Sequence, residues 1–208
     1  MSARQLLLQA SKNLIEVYGS KIILANEIGL SNGACIMDLV GILDDYIIGV
    51  EIKGPGDTLN RVIRQMRYYQ GVCREVNVVL DKKHQQKAYK ELLTFGGGVR
   101  IIDHTYMEYG NKFDKPLNFN ECNIWQCPSL IASCLWKNEL VRVLRESEAL
   151  PKGWSKMTKE ELLTHTRYAP IAIWEKIFVE TLKLRVDIQM KDMLLRQEVS
   201  KMKSSVIV

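Results

Sequence analysis

The sequence predicts an α/β domain, with strands and helices alternating through its first half and a helical region at its C-terminal end. Three observations carry that prediction. Two runs rich in Ile, Leu and Val flank the acidic pair Asp44-Asp45 and read as an antiparallel hairpin. An apolar stripe at helical spacing follows and leads into the continuous apolar run Val76–Leu80, the pattern of a helix and a buried strand. From Ser129 onward the periodicity is helical, with interruptions at Pro151 and Pro170.

Taken in order, residues Gln5 to Val17 form an amphipathic helix. The hairpin Ala34–Lys53 comes next, and its register decides its chemistry. A turn centred on Asp44-Asp45 sets Leu43 opposite Tyr46 and brings Asp38 directly across from Glu51, with Cβ atoms roughly 4.5–5.5 Å apart. Lys53, two residues beyond Glu51, projects from the same face. A three-residue turn would send Glu51 to the other face and dissolve the cluster. Gly54-Pro55-Gly56-Asp57-Thr58 is a turn with Asp57 or Thr58 as candidate helix N-cap. Leu59, Val62, Ile63, Met66, Tyr69 and Cys73 then make one apolar stripe, and Gln65 and Tyr69, at i and i+4, share adjoining turns of one face. After the strand Val76–Leu80, a second helix spans His84 to Phe95, Gly96-Gly97-Gly98 breaks it, and Val99–Ile102 is another short strand.

Two carboxylates placed opposite each other repel unless something positive lies between them. A divalent cation meets that need: Mg²⁺ takes carboxylate oxygens, keeps several waters and leaves room for a phosphate oxygen. Lys53 beside it can orient an attacking water and balance phosphate charge. A Glu-x-Lys by itself is a common exposed pair, so the weight falls on Asp38 across the ladder.

With these residues in view, the chain resembles the PD-(D/E)xK nuclease superfamily, in its RecB-like and Holliday-resolvase-like branches. The matching pieces are Asp38, Glu51-Ile52-Lys53, and the helix Asp57-Thr-Leu-Asn-Arg61-Val-Ile-Arg-Gln65-Met-Arg-Tyr-Tyr69. It is similar, more closely, to small bacterial and phage proteins with a Glu-Ile-Lys and Asp-Thr-Leu-x-Arg pattern. The resemblance implies a restriction-endonuclease-like mixed central sheet flanked by helices over residues 1–128, with residues 129–208 as a helical region packed on that core or partly separate. It further implies that Asp38 and Glu51, with the Ile52 carbonyl and Glu27, bind Mg²⁺, for which Mn²⁺ substitutes. Lys53 would serve the nucleophile and Gln65 would support the site, with Glu16 a weaker alternative to Glu27. One departure is Ile36-Met37 before Asp38, where related sequences often carry a basic or small residue.

Composition is compatible with this. At 208 residues, 47% hydrophobic, the chain has ample material for a core. The longest apolar runs are too short to cross a bilayer, no secretory leader opens the chain, and five cysteines without small-scaffold spacing fit a reducing cytoplasm. A net charge of +5 and a pI near 8.9 bias the chain mildly toward polyanions. Arg61, Arg64, Lys82 and Lys83, with Arg67, Arg74, Lys87 and Lys90, follow the acidic site as a basic rim. Of these Arg61, Arg64, Lys82 and Lys83, together with Tyr69, are the expected nucleic-acid contacts, a solvated helix face being the plainer reading of most single charges.

The later segments are less specific. Residues from about 106 to 128 read as a loop containing Tyr106, Tyr109 and Phe113. Leu130, Leu135, Leu140, Val141 and Leu144 suit one core-facing helix, Thr158–Glu161 is a capping box, and a long helix runs from about Ile171 toward Lys203. Trp125, Trp136, Trp154 and Trp174 all fall here, where packing is expected ahead of base stacking. The function expected is a Mg²⁺-dependent deoxyribonuclease in the cytoplasm, with DNA as partner, no membrane association, and a homodimer as its candidate assembly. The alternative is an inactive protein on the same scaffold that binds nucleic acid or another protein.

Overall fold

A computed structural model describes residues 1–30, 33–88, 99–103 and 126–187. Helix α1 (Ala3–Tyr18) opens on a capping box in which Ser2 and Gln5 exchange hydrogen bonds. Its Leu6, Ala10 and Leu14, one helical face, are fully buried. Strands β1 (Ile23–Leu30), β2 (Cys35–Ile42) and β3 (Ile47–Lys53) follow, then helix α2 (Val62–Val72), β4 (Glu75–Leu80) and β5 (Val99–Asp103). The five strands form one mixed sheet in the order β1-β2-β3-β4-β5. The first three are antiparallel; β4 and β5 run parallel to β3.

Both faces of the sheet are covered, so β3, its central strand, is buried at all seven positions. Alternation sorts its side chains. Ile48, Val50 and Ile52 pack with Leu6, Ala10 and Leu14 under α1. The other face carries Glu51 and Lys53 toward α2. There Met66 and Tyr69 share one apolar core with helices α3 (Pro128–Cys134), α4 (Lys137–Glu146), α5 (Lys159–Leu163) and α6 (171–187). The C-terminal helices are thus packed on the sheet domain, Gly71 of α2 lying so close to α3 that a Cβ there would stand 2.2 Å from Leu130 Cδ1. No helix among the described residues is long and apolar enough to cross a membrane.

Three local expectations change. The helix after the Gly54 turn begins at Val62, with neither Asp57 nor Thr58 as its cap, because the Asp57 carboxylate turns back to accept the Gly54 N–H at 2.7 Å. The single helix expected from Ser129 is two: Trp136 is extended, and its N–H donates to Glu139 at 2.5 Å, starting α4 afresh. Trp174 is buried as expected, whereas Trp136 is 60% exposed beneath the Arg185 guanidinium. The helix expected over 84–95 is described only as a 3₁₀ turn at Lys82–His84 and a helical turn at 85–88. Its remainder, Lys90, the loop with Tyr106, Tyr109 and Phe113, Trp125 and the tail beyond 187 lie outside the described residues.

Candidate active site

The β2–β3 hairpin closes with Leu43 N–H donating to the Tyr46 carbonyl at 3.0 Å, so Asp44-Asp45 form a two-residue loop. The ladder then runs Ile42↔Ile47 to Leu39↔Val50, and its next rung is Asp38 and Glu51, the register read from the sequence. At that rung the strands part. The Ile52 N–H donates to Asp38 Oδ2 at 2.8 Å, a side chain doing what a strand carbonyl does elsewhere. On the other flank, pairing of β1 with β2 skips Glu27 and Asp38 between Asn26↔Leu39 and Ile28↔Met37. Glu27 there has φ 55°, a left-handed conformation that costs a non-glycine residue about 1 kcal/mol or more. Asp38 is thereby released from both ladders, and its N–H is taken by the Tyr69 hydroxyl at 3.2 Å.

Glu51 and Lys53 form the centre. Glu51 is 1% exposed; its Oε1 accepts from Lys53 Nζ at 2.5 Å and its Oε2 from the Tyr69 hydroxyl at 2.5 Å. Lys53 Nζ also donates to Gln65 Oε1 at 3.1 Å, from the first turn of α2. Those two acceptors occupy two of its three N–H groups. Burial, and then the charge of Glu51, push the Asp38 carboxyl up to about 6, against the pull of the Ile52 N–H and Lys53. Burial and Glu51 likewise raise the Tyr69 phenol well above its ordinary value, so it stays protonated and donates. The rear of the site is anchored by His84, whose Nε2 lies 2.9 Å from the Gly54 carbonyl, and by the Asp81 N–H, which donates to the Lys53 carbonyl at 2.8 Å.

These groups face a cleft of about 620 Å³. Helix α1 contributes Ala3, Arg4 and Leu7, β1 contributes Asn26 and Glu27, and the rest of the wall is Asp38, Glu51, Ile52, Lys53, Asp57, Arg61 and Gln65. The α1 wall comes this near because residue 54 is glycine: a Cβ there would meet the Ala3 backbone nitrogen at 2.9 Å.

A family model described as bacteriophage P4 protein cII matches residues 8–205. The chain belongs to that family. The match runs through the sheet and the C-terminal helices alike. No curated protein and no solved structure matches the chain. The family description names no chemistry, so the reading of the cleft in this cII-family chain rests on its geometry.

Of the residues singled out in the sequence, Glu27, Asp38, Glu51, Ile52, Lys53, Arg61 and Gln65 come together here. Ile52 has its side chain packed under α1, so what it offers the cleft is main chain. Arg64 is exposed on α2 outside the cleft wall, and Lys82 and Lys83 are exposed after β4, Lys83 Nζ donating to the Pro55 carbonyl at 2.9 Å. Tyr69 is a correction: fully buried and bonded to Glu51, it stands behind the site and presents no ring to nucleic acid. Arg74 also leaves the rim, held 3.1 Å from Glu175 at the far end of the sheet. Glu16 is on α1 and does not line the cleft. Arg4, Asn26 and Asp57 were not singled out as cleft residues. Arg4 and Asn26 have no local signal, since only tertiary packing brings them to the site.

Among the described residues, no three acidic, histidine or cysteine side chains converge to enclose a metal ion. The donor set is narrower: two carboxylates on adjacent strands with main chain beside them. That fits Mg²⁺, which binds through one or two carboxylates and keeps its waters, better than an ion needing a full protein cage. The raised Asp38 carboxyl marks the same point, a place where a second negative charge lacks compensation.

Proposed function

We propose that this cII-family chain is a metal-dependent nuclease that hydrolyses DNA phosphodiester bonds on a PD-(D/E)xK core. The observation that carries the reading is the rung Asp38–Glu51 with Lys53 clasped between Glu51 and Gln65. Asp38 and Glu51, with Ile52 main chain and Glu27 at the rim, would hold Mg²⁺ or Mn²⁺, which when bound acidifies a water and neutralises phosphate charge. The protein's own groups do the positioning. Gln65 keeps the Lys53 ammonium from turning wholly to Glu51, leaving its third N–H for water or a phosphate oxygen. Tyr69 fixes the plane of Glu51. Arg61 and Arg4, on opposite walls, suit the flanking phosphates.

One observation favours the rival, a non-cleaving binder: both Glu51 oxygens already accept a hydrogen bond. Calorimetric titration of Mg²⁺ and Mn²⁺ into wild type and Asp38→Ala, with cleavage of linear, branched and single-stranded DNA on the same samples, separates the two. A nuclease binds metal and cuts, and loses both in Asp38→Ala. A wild type that binds DNA in chelator yet cuts nothing with either metal makes the rival correct.

A further inference from the structure

A second cavity, of about 490 Å³, opens between α4 and the turn at Trp154–Lys156. Lys137, Asn138, Val141 and Arg145 line it from one side of α4, and Trp154 lines it from the turn. The Arg145 guanidinium lies 5.7 Å from the Trp154 ring centroid. In contrast to the active-site cleft, no carboxylate lines this cavity.

Several cations elsewhere in the helical region are paired with carboxylates. Arg142 is bridged to Glu146 and Glu180, Arg185 to Glu139, Lys183 to Asp44, and Lys176 stands near Glu146. Lys137 and Arg145 have no carboxylate partner among the described residues, and neither do Lys152 and Lys156 on either side of Trp154. Two cations without a carboxylate partner, Lys137 and Arg145, therefore line the cavity beside the indole, with Lys152 and Lys156 two residues to either side of Trp154 in sequence.

The geometry points to a binding site for single-stranded nucleic acid, phosphates against Lys137 and Arg145 and an unpaired base against Trp154 and the Asn138 amide. Each part of such a ligand has its match. Unpaired cations attract the backbone and release its counterions. The indole takes the face of a base, and an Asn amide, with both donor and acceptor, meets its edge. In a duplex the base faces are stacked on one another, so only an unpaired base can use the ring. An acidic peptide would satisfy the cations and leave the ring and amide unused. This site does not require the cleft to cut: a strand held here is bound whether or not it is hydrolysed.

The test is fluorescence anisotropy of a short labelled oligothymidine, alone and paired with its complement, with the full-length chain in EDTA so that cleavage is silent. Replacing two exposed side chains in Lys137→Gln/Arg145→Gln leaves the fold in place, checked by thermal melt. Single-strand affinity is expected to fall about tenfold or more, and the salt slope to flatten by about 1.4, two phosphates' worth for a single strand. Duplex affinity falls less than single-strand affinity, since a duplex has no unpaired base to bring its backbone to the ring and the cations beside it. Trp154→Phe keeps most of the single-strand affinity and Trp154→Leu does not. Unchanged single-strand binding in the double variant overturns the proposal, as does equal loss for strand and duplex. Displacement of the oligonucleotide by polyglutamate at equal charge also overturns it, in favour of an acidic protein partner.

Discussion

The two ends of the β2–β3 hairpin treat negative charge in opposite ways. At the turn end Asp44 meets Lys183 at 2.7 Å, and Arg74 reaches both Asp45 at 3.6 Å and Glu175 at 3.1 Å while lying over the Tyr46 ring. At the cleft end Glu27, Asp38, Glu51 and Asp57 share one cavity, and among the described residues only Glu51 has a cation within ion-pair distance. The backbone divides in the same way: the turn needs no left-handed residue, whereas Glu27 is held in one. At the turn end each acid has a cation partner, Lys183 for Asp44 and Arg74 for Asp45 and Glu175. At the cleft end the compensation is incomplete: clustered, partly desolvated acids repel one another, and a bound cation or a proton would relieve them.

The largest effect is expected at the one ion pair the cleft does contain. Lys53→Ala leaves Glu51 buried without its cation, a change that typically costs about 3–5 kcal/mol. Its denaturant midpoint falls accordingly, and the loss is reversed in Lys53→Met/Glu51→Gln, which removes both charges while keeping volume. If Lys53→Ala melts like wild type, the buried pair contributes nothing to stability, and the contrast between the two ends collapses. The same reasoning makes Lys53→Ala an ambiguous probe of catalysis, because lost cleavage and lost structure arrive together.

The hairpin register was legible because any turn centred on Asp44-Asp45, of two residues or four, sets Asp38 across from Glu51, and only an odd-length turn would not. Asp38, Glu51, Lys53 and Gln65 followed from it, being local to one hairpin and the next helix. What was not legible depends on partners distant in sequence. Tyr69 carries the same helical spacing whether it faces solvent or Glu51. Arg74 belongs to a run of basic residues until Glu175, a hundred positions on, claims it. Arg4 reaches the cleft only because Gly54 lets α1 approach. The split between α3 and α4 was hidden for another reason: Ile131 and Leu135 before the break, and Leu140 and Leu144 after it, each keep i,i+4 spacing, and the break itself is made by one backbone-to-carboxylate bond at Trp136.

A middle-sized effect is expected at Asp38, where the sign is opposite. Its carboxyl stands at about 6 in the folded protein against an ordinary 3.8. The native state therefore holds this proton more tightly than the unfolded chain does. That contribution is fully present below about pH 4 and is lost as pH rises through about 6. In metal-free buffer, Asp38→Asn should be more stable than wild type at pH 7, by on the order of 1 kcal/mol after allowing for solvent screening, and the difference should vanish near pH 4. Urea melts at the two pH values decide it. On the proposed nuclease reading, Asp38→Asn is also expected to abolish cleavage, so that activity would fall as stability rises. A destabilised Asp38→Asn at pH 7 would mean the carboxylate is held by the Ile52 N–H more strongly than Glu51 repels it.

The smallest effect is expected at the turn. The Lys183–Asp44 bridge is short, but Asp44 is almost wholly in water, and its carboxyl is held below its ordinary range by Lys183 first, with Lys21 adding to the pull. Solvent already compensates both charges, so Lys183→Ala should leave the denaturant midpoint within error of wild type, in low salt and in high salt alike. Should it instead shift the midpoint by as much as Asp38→Asn does, the turn end is not a set of charges satisfied by water. It would then be a fastening between the hairpin and α6, and the difference between the ends would lie in which structure each charge holds rather than in how far each is compensated.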